Sequence, residues 1–71
     1  GNNTIIIGST TAGDKSAVLQ LVAHNDDQGF LIARVTDFNN INSPADGLMV
    51  YDTTGKKLLI YISGTGWVTI I

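Results

Sequence analysis

The stretch GLMVYDTTGKKLLIYISGTGWVTII, residues 47–71, decides the fold of this chain. It reads as three short β-strands, which the turn sequences DTTG (52–55) and SGTG (63–66) separate. Because both connections are short, neighbouring strands must run in opposite directions. The sequence therefore predicts an all-β fold with a C-terminal antiparallel three-stranded meander.

The middle strand of this meander is apolar on both of its faces. Alternation places Leu58, Ile60 and Ile62 on one face, and Leu59 and Tyr61 on the other. A sheet that covers one small core should instead alternate apolar with polar residues. Something outside the meander must cover the second face.

The size of the chain limits what that cover can be. With 71 residues the chain has room for one domain at most, near the lower limit for a self-sufficient core. Cysteine is absent, and the only histidine is His24, so neither a disulfide nor a conventional zinc site can stabilise the fold. Partner chains remain, and they would also cover a second apolar face. We expect residues 1–71 to form a single small β module, a fragment of a longer chain.

Charge and hydropathy exclude several classes of partner. The net charge is −2 and no basic patch occurs, which argues against nucleic acid. The longest apolar runs are far shorter than the ~20 residues that cross a bilayer, so we expect no membrane insertion. No pattern in the sequence requires a cofactor.

The first half of the chain offers less decisive strand signals. Residues 4–7 and 29–36 are rich in β-branched and apolar residues and predict strands. Residues 16–24 favour a strand, although Ala, Leu and Gln also suit a short helix. Residues 37–47 read as a loop that could hold one turn of helix.

Local turn chemistry gives further expectations around the meander. Asp52 should cap the DTTG turn through its side chain, and Gly55 should take the left-handed conformation there. Gly47 should permit a positive φ in the preceding loop. Phe38 and Ile41 are expected to tuck inward from that loop.

Residues 8–16 come one residue from a phosphate-binding loop. Gly8, four residues, Gly13, and then Lys15 and Ser16 approach the G-x4-G-K-[ST] pattern, but Asp14 intervenes before the lysine. The insertion puts a carboxylate where the lysine should meet phosphate. We interpret the stretch as a Gly-rich turn and expect no enzyme and no catalytic residue.

One cluster could bind a cation. His24, Asp26 and Asp27 bring together side chains that can hold a hard cation through oxygen. The full calcium-loop spacing is missing, and Asx-rich turns are common in β proteins. We predict no metal site and leave the cation alternative open.

Aromatic residues could contact a ligand or a partner. Tyr51, Tyr61 and Trp67 could stack on a sugar ring, and packing across strands is the favoured alternative.

The apolar faces also predict an oligomer core. We expect Val50, Leu58 and Ile60 to lie in one core shared between chains.

The order of several short motifs resembles a known module. KSAVLQL, QGFLIARVT and INSPADGLMVYDTTGKKLLIYISGTGWVTI follow the pattern S-A-x-L, G-F-L-x-x-R-x-T, S-P-A-x-G-L-M-V-Y-D-T-T and G-x-x-W-V. This pattern resembles a module of phage tail fibres and of surface or secreted proteins of Bacteroidota-like bacteria, over residues 15–70. The chain departs from it at Ile32 and Ala33, where the family usually has two prolines, and in the shortened segment DFNNIN.

The resemblance implies a non-catalytic structural module, interlocked in a homotrimer beside neighbouring fibre domains. Its alternative is a receptor- or glycan-binding tip that contacts a host-surface glycan or protein. The localisation that the resemblance implies is the tail fibre of a virion, or the bacterial cell surface or the secreted fraction. In that setting, the second face of the meander belongs to neighbouring copies of the chain.

Overall fold

A computed structural model describes residues 4–9 and 13–71 of the chain. Its residues divide into two compact units, with the boundary between Phe30 and Leu31. The described residues hold six short strands and one turn of 3-10 helix. This confirms the all-β fold. The single module over residues 1–71 stays a prediction.

The first unit is built on a parallel pair of strands, β1 (Ile5–Ile7) and β2 (Leu19–Leu21). Both strands lie within the stretches that favoured strands, and residues 16–24 do not take the helical alternative. The chain leaves β1 through Gly8, which has a φ of 91°. A side chain at Gly8 would collide with the carbonyl oxygen of Val22, so only glycine fits this close approach.

The second unit is a four-stranded sheet in the order β3-β4-β5-β6. Its strands are β3 (Arg34–Val35), β4 (Met49–Asp52), β5 (Lys57–Ile62) and β6 (Gly66–Thr69). The last three form the predicted antiparallel meander, which is therefore confirmed. β3 adds to β4 in parallel, a pairing that short-range turn signals could not predict.

The strand predicted over residues 29–36 is mostly wrong, because only β3 forms. β3 runs parallel to β4 and pairs with it only at Tyr51 and Asp52. Just before β3, the Tyr51 N–H still donates to the Ala33 carbonyl oxygen at 2.9 Å, but residues 29–32 form no ladder with β4. Phe30 and Leu31 are accordingly 71 % and 69 % exposed.

The loop between β3 and β4 contains the turn of helix that the sequence allowed. The 3-10 helix spans Phe38–Asn40, and the Asp37 carboxylate accepts a hydrogen bond from the Asn39 N–H at 2.9 Å. Phe38 and Ile41 are half-buried, in line with the expected inward tuck. Gly47, near the end of the loop, has the expected positive φ of 88°.

The turn between β4 and β5 follows one prediction and overturns another. The Gly55 N–H donates to Oδ1 of Asp52 at 2.8 Å, which is the predicted side-chain cap. The left-handed residue, however, is Lys56 with a φ of 55°, and Gly55 has no positive φ. Because Asp52 pairs with Lys57, the hairpin loop has four residues, and the left-handed residue is the last of them. Gly55 is instead close to its neighbours: a Cβ there would lie 3.0 Å from the Lys57 side chain.

Candidate functional site

The sheet of the second unit has two chemically different faces. Cross-strand partners point to the same side of a sheet, and successive residues point to opposite sides. Pairing of Val50 with Leu59 and of Tyr61 with Trp67 therefore defines one face, called here the covered face. The pairs Met49–Ile60 and Ile60–Val68 define the other, called the open face.

The covered face carries the core of the unit. Leu59 is 2 % exposed and Val50 is 4 % exposed. The 3-10 helix lies over the end of this face: the Phe38 ring meets the Trp67 ring edge-on, with centroids 5.7 Å apart. Edge-to-face packing is a favoured geometry for aromatic rings and adds to the stabilisation by burial.

Two more side chains complete this aromatic cluster. Tyr61 and Trp67, partners across β5 and β6, meet edge-on with centroids 5.4 Å apart. The Lys57 Nζ lies 5.0 Å from the centre of the Phe38 ring, within cation–π range. The second unit thus covers one face of its sheet with its own loop.

Asp52 ties that loop to the sheet. Its carboxylate is on the covered face, 4 % exposed, and accepts hydrogen bonds from the Gly55 N–H at 2.8 Å and from the Phe38 N–H at 3.4 Å. The hydrogen bond from Gly55 is the main cause that lowers the pKa of Asp52 below its usual value, and burial opposes it. Hydrogen bonds from Phe38 and Thr54 and the positive charge of Lys57 lower this pKa further. The carboxylate therefore stays ionised at neutral pH.

The open face is apolar and has no comparable cover. Met49 and Ile62 are 38 % and 39 % exposed and the other members are half-buried, against 2 % for Leu59 on the covered face. On β4, β5 and β6 this face has no charged side chain; the first charge is Arg34 on β3, beside Tyr51. Its members on these three strands are Met49, Tyr51, Leu58, Ile60, Ile62 and Val68.

The structure separates the predicted oligomer core. Leu58 and Ile60 lie on the open face and are half-buried in the single chain. Val50 points to the covered face, opposite Leu59, so it cannot share a surface with the other two. The reason is that successive residues of a strand point to opposite faces. Val50 pairs with Leu59 and shares its face, whereas Leu58 and Ile60, one position to either side, point to the other face.

The predicted aromatic contacts are separated in the same way. Tyr61 and Trp67 pack together on the covered face, as the cross-strand interpretation favoured, and Tyr51 lies on the open face opposite Leu58. Sequence reasoning missed Met49 and Val68 as members of the open face. The turn lengths carried the signal, since they set the register that places these two beside Ile60.

Two weaker predictions concerned residues of the first unit. Within residues 8–16, positions 10–12 lie outside the described residues. The Asp14 carboxylate accepts hydrogen bonds from the hydroxyl and from the N–H of Ser16, and these lower its pKa. The strand β2 follows, so the helix that a phosphate loop requires is not formed there. His24, Asp26 and Asp27 are exposed, and in the described part of the chain no group of three or more His, Cys, Asp or Glu could hold a metal ion.

Comparison with known proteins identifies one family. The family model described as a phage tail like trimerisation region matches residues 6–71, nearly the whole chain. No curated protein and no solved structure matches the chain. Over residues 4–9 and 13–71, no helix is long and apolar enough to cross a membrane.

Proposed function

The chain belongs to the family of phage tail-like trimerisation regions, and from this premise we propose that it assembles as an interlocked homotrimer through its open face. In this proposal the chain is a non-catalytic structural module of a phage tail fibre or a related extracellular fibre. The observation that carries the proposal is the contrast between the two faces: the chain covers one with its own loop and leaves the other apolar and partly accessible.

The energetics of burial favour this surface. Complete burial of a large apolar side chain contributes roughly 1.5–3 kcal/mol. The open-face side chains are at most 39 % exposed, so each has well under half of this to gain. Six such side chains in each chain can add several kcal/mol on assembly. That is a large share of the ~5–15 kcal/mol by which a native protein is stable. A chain of 71 residues without disulfides has only a small core of its own, so this additional free energy of burial would stabilise it substantially.

The chemistry of the open face also suits contact with identical chains. A threefold axis brings the same residues of each copy together, so like charges near the axis would repel. β4, β5 and β6 present no charge on this face, and Arg34 lies on β3 at the sheet edge. In the proposed trimer, Leu58 and Ile60 lie in the shared core, while Val50 belongs to the core of each chain.

Neighbouring fibre domains are the proposed partners of the trimer, and a virion or an extracellular fibre is its proposed location. The alternative, a tip that binds a host glycan or protein through Tyr51, Tyr61 and Trp67, has less support. Tyr61 and Trp67 are engaged with each other, and Trp67 also with Phe38. The structural role is therefore the function we propose.

Solution mass tests the proposal directly. Light scattering should give three times the chain mass of 7.5 kDa. Ile60→Asp places a carboxylate on the open face, where burial without a partner costs several kcal/mol, so it should dissociate and thereby destabilise the assembly. The matched control is Thr65→Asp, which adds the same charge at an exposed turn residue and should leave the mass unchanged. A folded wild-type monomer at micromolar concentration contradicts the proposal.

A further inference from the structure

The parallel ribbon of β1 and β2 in the first unit repeats the two-faced design of the sheet. On one face, the pairs Ile5–Leu19 and Ile7–Leu21 place four large apolar side chains together. We call this surface the ribbon face. The exposed fractions of its members are 62 % for Ile5, 59 % for Ile7, 46 % for Leu19 and 42 % for Leu21.

The opposite face of the ribbon is covered by residues of the same unit. Ile6 and Gln20 point to this side and are half-buried. A Cβ at Gly13 would lie 2.8 Å from the Ile6 side chain, and the Asp14 N–H donates to the Gln20 side chain at 2.7 Å. The hydroxyl of Thr4 donates to the Ala17 carbonyl oxygen at 2.6 Å and holds the connection between the strands.

Such a ribbon requires a further layer. Parallel sheets occur almost only where both faces are buried, and two strands alone are marginal in water. The ribbon face is as apolar as a core, yet it is open in the isolated chain. An open groove of about 360 Å³ lies beside it, lined by Ile7, Leu21 and Phe30 and also by the polar Gln28.

We infer that the ribbon face packs against the ribbon faces of two further copies of this chain, around the threefold axis of the trimer. The inference rests on the proposed function and adds a second, N-terminal contact surface to the open face of the sheet. The occupant is a copy of the chain for two reasons. The family match includes the ribbon from residue 6 onward, and the family is one of trimerisation regions.

In this arrangement, with the axis along the strands, rotation would keep β1 and β2 of all three copies parallel and bring their ribbon faces to a common apolar centre. The ribbon face has no charged or polar side chain, so no buried group is left without a partner.

Single-cysteine variants test the inference, since the natural chain has no cysteine. In the trimer, Leu19→Cys and Ile7→Cys bring like thiols together near the axis. They should form disulfide-linked dimers at least ten times faster than Val18→Cys does. Val18 is the matched control because it precedes Leu19 directly, lies outside the ribbon face, and is 75 % exposed against 46 % for Leu19. If exposure alone governed the reaction, Val18→Cys would react faster, and that result overturns the inference.

A charge at the same place gives an independent measurement. Ile7→Lys should raise the protein concentration at which the trimer half-dissociates at least tenfold, whereas Val18→Lys should leave it unchanged. If Ile7→Lys does not weaken a trimer that Ile60→Asp dissociates, the ribbon face is not a contact and the inference fails while the proposed function stands. If the wild-type chain is itself monomeric, the proposed function fails, and the inference fails with it.

Discussion

Asp52 shows how much of the second unit depends on one side chain. It is buried on the covered face, yet its carboxylate accepts hydrogen bonds from backbone N–H groups of the turn and of the 3-10 helix. An ionised carboxylate can join the two because it only accepts hydrogen bonds and has room for several. Protonation weakens these bonds, and the loop then loses its tie to the sheet.

Acidification should therefore destabilise the chain through Asp52. Its pKa is lower in the folded chain than its ordinary value of 3.8, so the stability it contributes is fully present above that value. The contribution is lost as the pH falls through the lower, folded pKa. Urea unfolding of the wild type and of Asp52→Asn should show a wild-type advantage at about pH 7 that shrinks below about pH 3.8. An advantage that stays constant down to about pH 2 contradicts this role.

Gly8 is the second residue on which the local structure depends, because the backbone there leaves no room for a Cβ atom. Alanine there must adopt a φ near 91° and collide with the Val22 carbonyl oxygen. We expect Gly8→Ala to lower the free energy of unfolding by at least ~1–2 kcal/mol, from the left-handed backbone alone. Gly29→Ala is the control, since nothing lies within 4 Å of a Cβ at that position. Equal urea midpoints for the two variants would be the contrary result.

At the scale of the element, β5 serves two different contacts. Leu59 faces the loop of its own chain, and its neighbour Leu58 faces outward with the open face. In the proposed trimer, Leu59 therefore stabilises the chain itself, whereas Leu58 stabilises the assembly.

Alanine substitutions at these two positions should differ in their concentration dependence. Leu59→Ala removes a core side chain and should cost about 2–5 kcal/mol at every protein concentration. Leu58→Ala should act mainly through assembly, so its effect on Tm should be small in the dissociated chain and larger where the trimer forms. Thermal unfolding over a range of concentrations measures both. Identical concentration dependence would show that Leu58 has no contact with another chain.

On the scale of the whole molecule, the two units have a common design. Each covers one face with its own loop and presents a second face of large apolar side chains. In the proposed trimer, burial of this apolar surface against other copies would add stability, and we expect folding to be coupled to assembly.

That coupling predicts a melting temperature that depends on concentration. Because the proposed trimer consists of three chains, dilution shifts the equilibrium from the folded trimer toward single unfolded chains by mass action. The Tm of the wild type should rise with protein concentration, and the Tm of Ile60→Asp should not. A wild-type Tm that is independent of concentration, measured across the range where the mass changes, contradicts coupled folding and assembly.

The sequence alone determined the meander and its turns. Strand length, apolar alternation and Asx or Gly turn residues are local properties, so β4, β5, β6 and the Asp52 cap could be predicted from residues 47–71. The presence of two apolar faces was equally visible, and with it the need for further cover.

Only the tertiary structure decided which face the chain covers for itself. The placement of Phe38 against Trp67 and the parallel pairings of β1 with β2 and of β3 with β4 join residues that are distant in sequence. No local signal encodes such contacts, because they are made by partners that meet only when the chain folds. For the same reason, the predicted strand over residues 29–36 shortened to Arg34–Val35: strand propensity is local, whereas a strand needs a neighbour.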